Sequence, residues 1–142
     1  MLEKTELTYA HMKIRLKPAD IVFSRLIRKR DGWRCIRCKT QYEPPTQALH
    51  CSHFWGRSNK KTRFDPRNCD ALCYGCHRLW EGRKRFEYSD FKIIQLGKKQ
   101  YIDLENNARL PIKFGEIEFK QMAVFLRKNG LNGIFRILKE FR

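Results

Sequence analysis

The chain predicts an α+β protein: a small ββα core stapled by a metal ion, with a helix before it and helices after it. Three observations carry that prediction. Two C-x-x-C pairs, Cys35–Cys38 and Cys73–Cys76, bracket a long interval with two short strand-like runs. The stretch from His50 to Gly82 holds three of the four histidines and four of the six cysteines. Beyond residue 86 there is no cysteine or histidine, and apolar residues recur at helical spacing.

Composition bounds the partners. The 142 residues carry 31 Lys plus Arg against 15 Asp plus Glu, a formal charge of +16. That charge draws the chain to polyanions, nucleic acid first, although ribosomal or anionic-membrane binding would need the same charge. The N-terminal MLEKTELTYA is charged where a signal peptide is apolar, and no run reaches the roughly 20 apolar residues that span a bilayer. The expectation is an intracellular protein. In a reducing compartment, paired C-x-x-C cysteines bind metal more often than they form disulfides.

Taken in order, residues 1–18 read as a basic arm. Pro18-Ala19-Asp20 opens a helix over 19–30, with Pro in the first turn and an acid at the positive end of the dipole. Ile21, Val22, Leu26 and Ile27 form its apolar side. Arg25, Arg28, Lys29 and Arg30 form a basic side suited to phosphate. Leu49 to Trp55 reads as a first strand, Arg57 to Lys61 as a basic loop, Thr62-Arg63-Phe64 as the return strand, and His77 to Arg85 as a helix. Residues 19–86 are therefore the expected core. Residues 87–142 form a helical C-terminal region: one segment to Leu96 broken by Gly97, a second around Tyr101–Glu105, a loop at Asn106-Asn107 and Pro111, a third around Phe119–Leu126, and a last one over Leu131–Phe141.

The chemistry follows from residue types. Two residues between thiolates let both sulfurs of Cys35/Cys38 and of Cys73/Cys76 reach one tetrahedral ion, and four thiolates close the site, so a structural zinc is expected. Cys51 and Cys69 read as small buried residues rather than ligands. His53, Asn68 and His77 then stand at 15- and 9-residue intervals around the staple. Neutral imidazole at His53 can take a proton from water. Asn68 can hold the loop or orient His53. His77 can ligate a divalent cation, and Glu81 shares its helical face. Glu81 is equally placed to pair with Arg85. His50 is a further ligand candidate, although strand alternation puts it on the face opposite His53 unless the backbone bulges. Each of these residues alone is more often structural.

C-x-x-C followed by His, Asn and C-x-x-C-His resembles the zinc-bearing branch of the HNH, or ββα-metal, endonucleases. Within that group it is similar to the NinG/Rap recombination nucleases of lambdoid phages. The matching elements are Ser52-His53-Phe54, Arg63-Phe64-Asp65-Pro66-Arg67-Asn68 and Cys73-Tyr74-Gly75-Cys76-His77 through Gly82, with a similar tail from Tyr88 to Glu105. The resemblance implies that His53 is the general base, Asn68 the middle residue and His77 a residue at the metal. It also implies a phage or prophage protein that cuts branched DNA such as Holliday junctions or D-loops. Ser52 stands where many such enzymes have an aspartate, and His50 stands where the NinG-like pattern has an acid, so His50 is the first-strand ligand by position. The catalytic ion expected is Mg²⁺ or Mn²⁺. Arg57, Lys60, Lys61, Arg63, Arg67 and Arg78 are the expected phosphate contacts. A homodimer is expected, with Phe119, Leu126, Phe135 and Leu138 in its interface. The competing readings are a non-catalytic zinc-dependent nucleic-acid-binding module and a sequence-specific HNH nuclease.

Overall fold

The computed structural model describes residues 16–141, so the basic arm falls outside it apart from Leu16, Lys17 and Pro18. The described chain is mixed α+β, with six α-helices and a two-stranded antiparallel sheet. Helix α1 (Pro18–Arg30) starts where the sequence puts it: Asp20 accepts from the Lys17 backbone N–H, and Gly32 at φ +67° releases the chain beyond Asp31. Strand β1 (Leu49–His53) pairs with β2 (Cys69–Cys73) from Leu49↔Cys73 to His53↔Cys69, without a bulge. Helix α2 (Tyr74–Glu81) follows, then α3 (Arg85–Leu96), α4 (Lys98–Arg109), α5 (Glu116–Asn129) and α6 (Ile134–Glu140). No helix among the described residues is long and apolar enough to cross a membrane.

Three expected elements move. The return strand is Cys69–Cys73, and Thr62-Arg63-Phe64 is a turn. The helix carrying His77 begins at Tyr74 and stops at Glu81, because Gly82 releases it before Arg85. Asn106-Asn107 lies within α4, which runs on to Arg109.

The sheet contributes to two apolar clusters. In the first, Cys51 and Cys69 meet Ala19, Phe23 and Ile27 of α1, Met122 and Leu126 of α5, and Ile134 of α6. In the second, Leu49, Phe54, Ala71 and Leu72 meet Trp80 of α2 and Tyr88 of α3. The C-terminal helices thus close the core from one side rather than standing apart from it. Phe119 and Leu126, expected at a dimer interface, are inside the protein; Phe135 remains exposed.

The sheet edges are covered by α1 and the first cysteine knuckle. Arg28 donates to the carbonyls of Thr46 and Leu49, and Arg30 to those of Pro66 and Cys69. The Ala71 N–H donates to Asp31, and the Ile36 N–H to the Ala71 carbonyl. Two arginines of the expected phosphate face therefore satisfy backbone acceptors that an open two-stranded sheet would leave unpaired.

Two buried ion pairs complete the frame. Arg63 lies in the interior and donates to both carboxylate oxygens of Asp20, at 2.8 and 2.6 Å. Lys92, with no exposed surface, donates to Asp70 at 2.8 Å. Tyr88 and Gln95 donate to the same carboxylate at 2.9 Å each. Buried charges persist where partners and hydrogen bonds answer them, as here.

Candidate metal centres and active-site cleft

The first centre is the tetracysteine cluster. Lys39 adopts φ +66°, and its N–H donates to the Cys35 carbonyl, so the chain doubles back and both sulfurs of the first knuckle point the same way. The second pair sits where β2 passes into α2, with Cys76 in the first turn of the helix. The sulfurs of Cys35, Cys38, Cys73 and Cys76 all lie within 4.8 Å of one another, and those of Cys38 and Cys73 are 3.9 Å apart. A tetrahedral ion with metal–sulfur bonds of about 2.3 Å spaces its sulfurs about 3.8 Å apart, so the cluster can hold a structural metal ion such as zinc.

Burial pushes the Cys35 thiol up and the Cys76 thiol up to about 12, while the hydrogen bond from Thr40 brings Cys38 down to about 6. Thiolates this close repel one another, and a divalent cation relieves that repulsion. Arg37 lies 3.6 Å from the Cys76 sulfur as an outer partner.

The second centre surrounds a shallow cleft of about 170 Å³ lined by Cys51, His53, Gly56, Arg57, His77 and Glu81. His77 follows Cys76 directly, so the tetracysteine cluster fixes its place at the start of α2. Its Nδ1 is 3.0 Å from Nδ1 of His50, and its Nε2 is 2.7 Å from Oε1 of Glu81. The Glu81 approach is off the hydrogen-bond direction, so Nε2 of His77 is buried and has no hydrogen-bond partner among the described residues. His77 thus meets His50 and Glu81 through its two different ring nitrogens, so these three side chains form a relay rather than a cluster of donors around one point. Burial foremost, then His77, lowers the His50 pKa and favours its neutral ring. Glu81 faces His77 rather than Arg85, whose guanidinium covers the Phe54 ring at 3.9 Å.

His53 ends β1 on the face opposite His50, as unbroken alternation requires. Its Nε2 lies 2.9 Å from the Arg63 carbonyl oxygen. A carbonyl only accepts, so Nε2 carries the proton and Nδ1 keeps the lone pair. Burial, with Arg57 second, lowers the His53 pKa to about 4. His53 and His77 line the same cleft.

Asn68 takes the loop-holding option. Its Oδ1 accepts from the Trp55 N–H, and its Nδ2 donates to the carbonyls of Trp55 and Thr62. Those three bonds close residues 55–68 into a loop and set the height of Arg63, whose carbonyl orients His53. Asn68 itself does not line the cleft.

The expected phosphate contacts divide. Arg57 lines the cleft, and Arg78 is exposed on α2, 2.9 Å from the Tyr74 hydroxyl. Lys60 donates to the Phe114 carbonyl, and Arg67 pairs with Asp65 and Asp103. Lys61 and Arg67 line a second, larger cleft with Asp103 and Phe135. Arg63 is buried against Asp20 and presents no face to a phosphate.

Sequence reasoning missed Asp20 as the partner of Arg63, and Ser52, Tyr88 and Lys92 as the surroundings of Asp70. It also missed the grouping of Cys51 and Cys69 with His53, whose signal was present: a C-x-H pair on one strand and a cysteine opening the other. Comparison with family models, with curated proteins and with solved structures finds no match.

Proposed function

We propose that the protein is a metal-dependent endodeoxyribonuclease of the HNH type that hydrolyses phosphodiester bonds in branched DNA, such as Holliday junctions and D-loops. The observation that carries this reading is the shared cleft: His53, in a tautomer fixed by the Arg63 carbonyl, faces the same opening as His77 and Glu81. The tetracysteine site holds structural zinc and sets the position of His77. A divalent cation, Mg²⁺ or Mn²⁺, would be held by Nε2 of His77 and by Glu81, with His50 orienting the His77 ring through Nδ1, and would supply charge stabilisation at the scissile phosphate.

The remaining work falls to the chain. His53 takes a proton from the attacking water through Nδ1, while Nε2–H stays on the Arg63 carbonyl and keeps the ring in place. Asn68 holds the loop that carries this carbonyl. Arg57 at the cleft, with Arg78 exposed on α2, takes phosphate oxygens and sets the backbone in register; such contacts carry no sequence code, which suits selection by shape. Two strands must be nicked at a junction, so two copies act on one substrate.

Purified protein with Mg²⁺ or Mn²⁺ is expected to nick four-way DNA in preference to linear duplex. His53→Ala removes nicking by about 10²-fold or more and leaves binding intact. Sedimentation on the junction is expected to count two chains. Binding without cleavage under every divalent ion returns the protein to a zinc-dependent nucleic-acid-binding module.

A further inference from the structure

We infer that Cys51, His53 and Cys69 form a second metal site, selective for a thiophilic ion such as Zn²⁺, whose occupation withdraws His53 from hydrolysis. The last clause rests on the nuclease reading; the site itself does not.

The register builds the site. Cys51 and His53 are two apart on β1 and project from the same face. Cys69 is the cross-strand partner of His53, so it projects from that face as well. The two sulfurs and a ring nitrogen of His53 lie within 4.8 Å of one another. With Nε2–H committed to the Arg63 carbonyl, Nδ1 is the nitrogen left to bind. A ligating histidine whose other nitrogen donates to a backbone carbonyl is the usual outer arrangement of a metal site.

The donor set is three-sided. Cys51 and His53 line the cleft while Cys69 is fully buried beneath them, so the open position of a tetrahedral ion faces the cleft. Two sulfurs and one imidazole favour Zn²⁺ over Mg²⁺, which takes oxygen ligands. A disulfide fits less well: the two cysteines are diagonal across the ladder, about 7–8 Å between α-carbons by that geometry, beyond the usual reach of an S–S bridge. On binding, each thiol releases its proton, so one M²⁺ replaces two protons and the local charge is unchanged.

Occupation and catalysis then exclude each other. The Nδ1 lone pair that would take a proton from water is the pair that would bind the ion. Hard ions reach His77 and Glu81 on one wall of the cleft; soft ions reach Cys51, His53 and Cys69 on the other. The same cleft is thereby activated by one class of metal and shut by the other.

Cobalt(II) reads the site without any activity. Titrated into reduced, metal-free chain, Co²⁺ fills the tetracysteine site and then adds a further thiolate-to-cobalt charge-transfer increment about half as large, two sulfurs against four. The His50–His77–Glu81 set offers no sulfur and adds nothing to that band. Cys51→Ala and Cys69→Ala each weaken the second increment by at least the ~10–100-fold that loss of an outer partner causes, and leave the first unchanged. If Cys69→Ala fails to fold, Cys51→Ala at the cleft wall carries the test. A charge-transfer band that saturates at one equivalent in the wild type overturns the site, as does an unchanged second increment in Cys51→Ala. In the nicking assay, excess Zn²⁺ is expected to stop wild type in Mg²⁺ and to spare Cys51→Ala; equal inhibition of both overturns the link to His53. Wild-type chain that never nicks overturns the nuclease reading and leaves the cobalt result standing.

Discussion

His53 is held neutral by its surroundings. An unperturbed imidazole titrates near 6.5, and burial with the Arg57 charge brings this one down to about 4. The sign is unambiguous: lowering the pH protonates and inactivates a base, and here protonation waits until about pH 4. Nicking is therefore expected to stay level from pH 8 down to about 5, read as single-turnover rate at saturating Mn²⁺. An acid limb centred near pH 6.5 contradicts that environment for His53. Arg63 supports a second prediction. Its guanidinium is buried against Asp20, so Arg63→Ala leaves a buried carboxylate with the Lys17 N–H but without a counter-charge and is expected to cost about 3–5 kcal/mol in urea unfolding. The double change Asp20→Asn, Arg63→Met should recover part of that loss. The sequence made the placement of Asp20 legible as a first-turn acid but gave no sign of its partner, because residues 20 and 63 meet only through the tertiary fold. The same holds for Lys92, an apparently solvated lysine on an amphipathic helix that the Asp70 carboxylate draws inside.

Helix α1 and the thiolate pairs were readable at the scale of elements because each carries its own local signal: a proline, an acid and a glycine for the helix, fixed spacing for the cysteines. β2 was not. Cys-Asp-Ala-Leu-Cys lacks the alternation of a half-solvated strand, since both faces of this strand are covered and its one charge is answered by Lys92, Tyr88 and Gln95. Thr62-Arg63-Phe64 looked more strand-like because Phe64 and Arg63 are both buried from a turn. The cleft was partly legible. The order of His53, Asn68 and His77 pointed to it, whereas the opposing faces of His50 and His53 become compatible only because α2 carries His77 to the strand edge. The tetracysteine site links the first knuckle to the β2–α2 junction, so a metal held there would govern that element pair. A strong zinc chelator is expected to lower the melting temperature by well over 10 °C and to expose the amides of β2 and α2 to exchange, with zinc restoring both. An unchanged melting curve after complete metal removal would show that the cysteines need no ion.

Across the whole molecule, the division into core and tail dissolves. Met122, Leu126 and Ile134 are almost fully buried against α1 and the sheet. Truncation after Leu110 removes α5 and α6 and is expected to leave a chain without cooperative unfolding by circular dichroism, even with zinc present. Deleting several buried side chains of this kind costs about 2–5 kcal/mol each, against a total stability of about 5–15 kcal/mol. A truncated chain that melts sharply would restore the picture of an independent nuclease core with an appendage. The charge of +16 is compatible with this compactness because the arginines with structural duties, Arg28, Arg30 and Arg63, are answered by carbonyls or by Asp20.

The clasp between α1 and α5 also has a consequence for synthesis. A ribosome releases α1 long before α5, so Phe23 and Ile27, which the sheet and Phe64 cover in part, complete their packing only when residues 116–129 arrive. Until then the nascent chain shows an apolar helix face and a metal-binding hairpin, both open to wrong partners. Zinc can capture Cys35, Cys38, Cys73 and Cys76 while the last third of the polypeptide is still being made. Metal capture is therefore expected to precede hydrophobic closure during translation, which would hold the nascent cleft in shape before the protein around it is finished.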